Sequence, residues 1–396
     1  MLTALHITRG DHQMPDSIYN FDDIIDRHTT GSEKWDKYKD RDIIPLWVAD
    51  MDFRSPPEVV SALHERIAHG IFGYTHPTDD LIEAVIAHVS RDFGWEIMAE
   101  WLVWIPGLVC GLNIACRAAG AEGSDVVTFT PVYPPFMSAP HLNRRSLIKV
   151  PLTLRDGRWS INKDELCRSV SAHTKLLLLC NPHNPVGMVW SREDLEMLAE
   201  IALQNDLIIG SDEIHAGLIL DRERPHIPIA ILSPEIARRT VTLLSPSKTY
   251  NIPGLGCSFA VIPDPMLRRS FNAAKAGIVP HVNALGYTAA LAAYRNGEPW
   301  RRALLDYLRV NRDVVTEAVC SMPGLSMSTV EATYLAWIDT RNSGIENPVS
   351  FFESAGVGLS DGADFDGKGF VRLNFGCPRS LLKEALRRMS SALRCR

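Results

Sequence analysis

An α/β fold with a mostly parallel sheet flanked by helices follows from two features of this 396-residue chain. Between about residues 100 and 262, apolar runs of strand length alternate with helical periodicity, the pattern of strand–helix–strand crossover units. Three polar residues, Asn181, Asp212 and Lys248, each stand just past such a run. Open parallel sheets bind ligands beyond the carboxyl ends of their strands, so these three are expected to converge on one cleft.

The elements follow in order. Residues 1 to about 55 carry charge and aromatics with little periodicity. Leu81, Val85 and Val89 recur at helical spacing and predict an amphipathic helix. Strands are predicted at 101–105, 126–129, 176–180, 207–209, 241–244 and 257–262, with a helical pattern over 112–119 after the first. Ser191-Arg192-Glu193-Asp194 reads as a capping box opening a helix whose Leu195, Leu198 and Ala202 share a face. From 290 the pattern changes to long helices around Leu304, Leu308 and Val315, then short strands at 334–338 and 370–374. The expected organisation is a large domain of residues 56–289 and a smaller α+β domain assembled from both ends, 1–55 and 290–396.

Composition narrows the function classes. Apolar residues at 46%, charged residues at 22% and a net charge of −6 are those of a globular protein without a basic nucleic-acid footprint. No nucleic-acid or membrane partner is expected. The stretch from Met1 to Gly10 lacks the order of a signal peptide, and no apolar run approaches membrane-span length, so a cytoplasmic enzyme is the expectation. The eight cysteines are scattered without Cys-x-x-Cys or zinc spacing, which predicts no metal centre. Markers of P-loop, metalloprotease, dinucleotide-binding and α/β-hydrolase chemistry are absent from the sequence.

The three strand-end residues suit one cofactor. A lysine that forms a Schiff base and an aspartate that holds a pyridinium nitrogen are what pyridoxal 5′-phosphate (PLP) requires of a protein. Lys248 lies in Ser245-Pro246-Ser247-Lys248, where two hydroxyls could meet a phosphate; the same segment also reads as an exposed turn. Asp212 would keep the pyridine nitrogen protonated, or cap a helix. Asn181 could donate to the ring oxygen, or serve only an Asn-Pro turn. Gly107 and Leu108 open a helical pattern and could offer amides to a phosphate, although a tight turn explains the glycine equally. Tyr133 could stack on a ring or pack in a core.

The order Tyr133, Asn181-Pro182 through Gly187, Asp212, Ser245-x-Ser247-Lys248 and Arg372 resembles fold-type I PLP enzymes, the aspartate aminotransferase superfamily. Several segments narrow the resemblance: Pro45-Leu46-Trp47-Val48-Ala49-Asp50-Met51-Asp52-Phe53, Phe72-Gly73-Tyr74, Ser211-Asp212-Glu213-Ile214-His215, Thr333-Tyr334-Leu335-Ala336-Trp337 and the run from Phe370 to Arg379. These are similar to the MalY/PatB group of cystathionine β-lyases and cysteine C–S lyases. The resemblance implies that Lys248 is the catalytic lysine that carries PLP. Asp212, Asn181, Tyr133 and His215 would surround the ring, and Gly107, Leu108, Ser245 and Ser247 would hold the phosphate. Tyr74 would reach the phosphate and substrate of a neighbouring subunit, making a homodimer with shared active sites. Arg372 would fork the α-carboxylate of an amino-acid substrate, with Ala49 and Tyr334 at its edge.

Two positions depart from common aminotransferase usage. Gly256 stands eight residues after Lys248, where a phosphate-binding arginine is usual, and His215 stands where a tyrosine is usual. The implied activity is cleavage of L-cystathionine or a related cysteine S-conjugate to a thiol, pyruvate and ammonia. Alternatives are an aminotransferase, or a MalY-like protein with an added regulatory binding role.

Overall fold

The structure, a computed structural model, describes residues 19–395. The Met1–Gly10 stretch and the opening of the smaller domain lie outside the described residues. Seven strands form the main sheet: β1 (Leu102–Ile105), β2 (Asp125–Thr130), β3 (Ser146–Pro151), β4 (Thr174–Cys180), β5 (Ile208–Asp212), β6 (Thr240–Leu244) and β7 (Ser258–Val261). Their spatial order is β1-β7-β6-β5-β4-β2-β3. All neighbours are parallel except at β7, which runs antiparallel to both β1 and β6. The chain steps outward from β2 to β3 and then returns to β4 on the other side. The strand order therefore reverses between β2 and β4, where the carboxyl ends open a crevice.

Side-chain alternation explains why these runs are central strands. Leu177 and Leu179 of β4 join Val127, Phe129 and Ile209 in one core, while Leu176 and Leu178 join Val126, Val241 and Leu243 in another. Successive residues point to opposite faces, so a continuous leucine run fills both cores of a sheet covered on both sides. The helix Leu108–Ala118 covers the second face, and Arg192–Gln204 the first. The capping box is formed: Ser191 Oγ accepts from Asp194 N at 3.1 Å, and Asp194 Oδ2 accepts from Ser191 N at 3.3 Å. Gly111 sits where an added Cβ would lie 2.8 Å from Leu243 Cδ2, so glycine lets its helix settle onto β6.

A second, antiparallel sheet holds β8 (Ser326–Met327), β9 (Leu335–Asp339), β10 (Ser360–Asp361) and β11 (Phe370–Asn374), ordered β8-β9-β11-β10. The long helix Glu298–Ser321 buries Leu304, Leu308 and Val315, as its periodicity predicted. Ile44–Pro45 pairs with Val357–Gly358, tying the early chain to the late chain. Strand β3 has no counterpart in the sequence reading. It is an edge strand with Ser146 and Lys149 exposed, so it lacks the apolar run that marks its neighbours. Strand β5 extends beyond the predicted end, and Asp212 is its last residue rather than the first after it.

Candidate active site

Backbone pairing brings the strand ends together. Asn181 N donates to Asp212 O at 2.9 Å, Glu213 N to Leu243 O at 2.9 Å, and Tyr133 N to Asn184 O at 3.0 Å. Residues following β2, β4, β5 and β6 thus form one rim.

Lys248 is partly buried, not an exposed turn lysine, and its Nζ donates to Ala49 O at 2.6 Å. Tyr334 Oη donates to the same carbonyl at 2.8 Å. Burial pushes the Lys248 amine down to about 8, with the Arg372 charge adding to this against the opposite pull of Asp50 and Asp212. Burial likewise pushes the Asp212 carboxyl up to about 7; the Ile214 N–H and Lys248 oppose the rise, and Glu213 adds to it. Asp212 Oδ1 accepts from Ile214 N at 3.1 Å in a local turn, so the carboxylate caps no helix. His215 is buried and held neutral, pushed down to about 3 by burial and then by Lys248 and Arg372. Its ring stands edge-on to Tyr334, with centroids 6.2 Å apart.

Arg372 is buried. It donates to Asn184 Oδ1 (3.0 Å), Trp47 O (3.0 Å) and Ser360 Oγ (3.4 Å), and lies over the Phe365 ring at 4.5 Å. None of these partners is a carboxylate, and its Nε has no partner. Burial lowers it to about 10. A buried guanidinium without a counter-anion is strongly favoured to accept a carboxylate ligand.

The segment from Leu46 to Phe53 passes over the cleft with its carbonyls pinned from several elements. Asn374 Nδ2 donates to Val48 O and Asp50 O (2.6 Å each), Asn251 Nδ2 to Met51 O (2.9 Å) and Phe53 O (2.8 Å), and Ser360 Oγ to Trp47 O (2.7 Å). Asp50 and Asp52 are gripped by Arg27 at 2.7 and 2.6 Å, and Lys34 holds Asp52 at 2.6 Å. A cavity of about 1050 Å³ opens beside Asp50, Met51 and Asn251, but none of the strand-end residues lines it.

The residues expected at a phosphate gather at one end. Gly107 precedes the helix Leu108–Ala118, which has no side-chain cap, and the space where a Cβ would stand at Gly107 is open. Ser245 Oγ contacts Cys257 O (2.8 Å) and Ser247 Oγ (2.9 Å). A carbonyl only accepts, so Ser245 gives its hydrogen to Cys257, and the contact between the two hydroxyls is then donated by Ser247, which would meet a phosphate only by turning away from Ser245. Gly256 has φ +58° and its Cβ would approach Pro106 O to 3.3 Å. The arginine usual in aminotransferases would need both a left-handed backbone and space taken by the turn before Gly107.

Three expectations need qualification. Tyr74 is fully exposed, and the fold does not bring it to the cleft of its own chain. One amide hydrogen of Asn181 is spent on Ile227 O at 3.0 Å, leaving the second for a ring oxygen, while Asn181 Oδ1 has no partner. Tyr133 packs between both cores rather than in one. Sequence reasoning missed Asn184, Asn251, Asn374, Ser360 and Asp50. Asn184, Asn374 and Asp50 were present only as short polar residues inside quoted segments, and Asn251 and Ser360 lay outside them, because the partners of all five lie far away in sequence.

The chain matches the family model described as aminotransferase class I and II over residues 41–389. It is 39% identical to cystathionine beta-lyase PatB of Bacillus subtilis (strain 168), covering 94% of this chain and 100% of PatB. The chain belongs to the aminotransferase class I and II family. Among solved structures, OvoB superposes with a TM-score of 0.93 at 50% identity, covering 95% of this chain and 99% of OvoB. Cystalysin from Treponema denticola, whose structure contains pyridoxal 5′-phosphate, gives a TM-score of 0.92 at 32% identity, covering 96% and 99%. The fold is thus that of fold-type I PLP enzymes, and PLP is the cofactor.

The residues fit that cofactor. The uncapped helix start at Gly107 with open space suits a phosphate, the raised Asp212 has no cation bonded to its carboxylate, a place that a protonated pyridine would fill, and the lowered Lys248 amine suits attack on a carbonyl. The chain is a MalY-like PLP enzyme within this family.

Proposed function

We propose that this chain is a C–S β-lyase acting on cysteine S-conjugates, L-cystathionine among them. The observation that supports the reading is the set of Lys248, Asp212 and Arg372, a partly buried amine, a buried carboxylate and a buried guanidinium without a counter-anion. The full-length relation to cystathionine beta-lyase PatB supports lyase over transaminase chemistry.

Arg372 would bind the substrate carboxylate through its Nη atoms, orienting the Cα–H bond. Lys248 would hold the cofactor and, once freed by the substrate amine, take the Cα proton at Nζ; lowered to about 8, an appreciable fraction of it is neutral near neutral pH. PLP, when bound, supplies an electron sink for the pair left at Cα. Asp212 would keep a proton on the ring nitrogen, and the second Asn181 amide hydrogen would serve the ring oxygen. Ala49 O, accepting from Lys248 and Tyr334, would steady the free amine. The thiolate then departs from Cβ, and water completes release of pyruvate and ammonia.

The test is to incubate the PLP-loaded protein with L-cystathionine without an amino acceptor and measure thiol, pyruvate and ammonia in parallel. Equal yields of the three are expected. Turnover that requires an added keto acid and releases no thiol would contradict the lyase reading in favour of a transaminase.

A further inference from the structure

Behind Asp212 lies a second buried carboxylate that takes no part in the chemistry described above. Glu213 Oε1 accepts from Ser211 Oγ at 2.8 Å, and its Oε2 meets His226 Nε2 at 2.7 Å. The Glu213 and His226 side chains are 0% and 2% exposed. The imidazole is set edge-on against Phe93, with ring centroids 5.2 Å apart; Phe93 is the last residue of the helix Asp79–Phe93. The next residue, Ile227, accepts the Asn181 amide at 3.0 Å. One short stretch, 226–227, therefore grips the ends of both β4 and β5.

A buried ionisable pair is a poor source of net stability, because desolvation offsets the attraction. Its geometric effect is specific. The residues on either side of Asp212 are locked: Ser211 and Glu213 through the Glu213 carboxylate, and Glu213 also through its N–H to Leu243 O at 2.9 Å. Asp212 Oδ1 is occupied by Ile214 N, and no protein partner is found for Oδ2 among the described residues. We propose that the Glu213–His226 pair is a positioning device for Asp212, holding residues 211–213 so that the free carboxylate oxygen stays available to the cofactor's ring nitrogen. The inference rests on the PLP reading and adds to it two residues that touch neither cofactor nor substrate.

The test uses cofactor-free protein titrated with two probes, so that no turnover is involved. Pyridoxine 5′-phosphate has the ring nitrogen but no carbonyl to link to Lys248; its benzene-ring analogue lacks the nitrogen. His226→Phe keeps the ring against Phe93 and removes the bond to Glu213. Glu213→Met removes the carboxylate instead, and stands in should the stranded charge unfold the first variant. Either is expected to weaken the pyridine probe about tenfold, to leave the benzene analogue within about twofold, and to add nothing when combined with Asp212→Ala. His226→Gln, which retains a donor, is expected to restore binding of the pyridine probe to near the parent's. Equal losses on both probes, or losses that multiply with Asp212→Ala, would overturn the inference. A parent that binds neither probe would overturn the PLP reading with it, whereas a parent that prefers the pyridine probe through Asp212 upholds that reading whatever the result at 213 and 226.

Discussion

Asp212 shows how a functional residue can cost the fold that carries it. Its carboxyl is raised from 3.8 to about 7, chiefly by burial. At pH below about 4 the group is protonated in both folded and unfolded chains and makes no difference. As pH rises, the unfolded chain ionises first, so the folded, cofactor-free protein loses stability until about pH 7, after which the cost is constant. The shift corresponds to roughly 4 kcal/mol. Asp212→Asn is therefore expected to raise the melting temperature of the cofactor-free protein at pH 8 and to leave it nearly unchanged at pH 4, while weakening PLP binding. Thermal melts of both proteins at the two pH values check this; a variant less stable than the parent at pH 8 would contradict it. At single positions the sequence was only partly legible. Lys248, Asp212 and Asn181 were marked by the apolar runs before them, but whether Arg372 lay on a surface or inside depended on Phe365, Asn184 and Trp47, which only the fold brings to it.

Among the elements, the central strands were the easiest to recognise and the edge the hardest. A strand covered on both faces, such as β4, is apolar throughout its covered stretch, Leu176 to Cys180, whereas β3 leaves Lys149 exposed and resembles a loop. The segment from Leu46 to Phe53 was the most important element without periodicity, because side chains rather than a strand ladder satisfy most of its carbonyls. Asn374 contributes two of these bonds, to Val48 O and Asp50 O, and its Oδ1 accepts from Gly376 N at 2.7 Å. Asn374→Ala leaves Val48 O and Gly376 N without these partners, while Asp50 O keeps Lys34 Nζ at 3.2 Å, and it is expected to destabilise the protein by roughly 2 to 4 kcal/mol. A lower urea midpoint at unchanged slope is the readout; a midpoint equal to the parent's would mean that the other contacts hold the segment alone.

In the whole molecule, the proposed division into residues 56–289 and a smaller part from both ends draws support from the pairing of Ile44–Pro45 with Val357–Gly358. One apolar cluster nevertheless runs from Val59 and Val85 through Leu304 to Leu335 and Met389, so the two parts share a core. Nothing in that core explains Tyr74, which is exposed together with Ile71 and Phe72. We propose that this segment meets a second copy and that Tyr74 completes the neighbour's phosphate site. A heterodimer of Tyr74→Phe and Lys248→Ala subunits then holds one site with both defects and one with neither. It is expected to release more pyruvate than either mutant homodimer; no recovery in a PLP-loaded heterodimer would count against the shared site. Among the described residues no helix is long and apolar enough to cross a membrane. We propose that the fold brings Lys248 within reach of the cofactor carbonyl, and that is directly measurable. PLP-loaded protein reduced with borohydride and digested is expected to carry the cofactor on the peptide containing Lys248, and Lys248→Ala is expected to carry none. Attachment at another lysine, or equal labelling of Lys248→Ala, would contradict the assignment of this cleft as the active site.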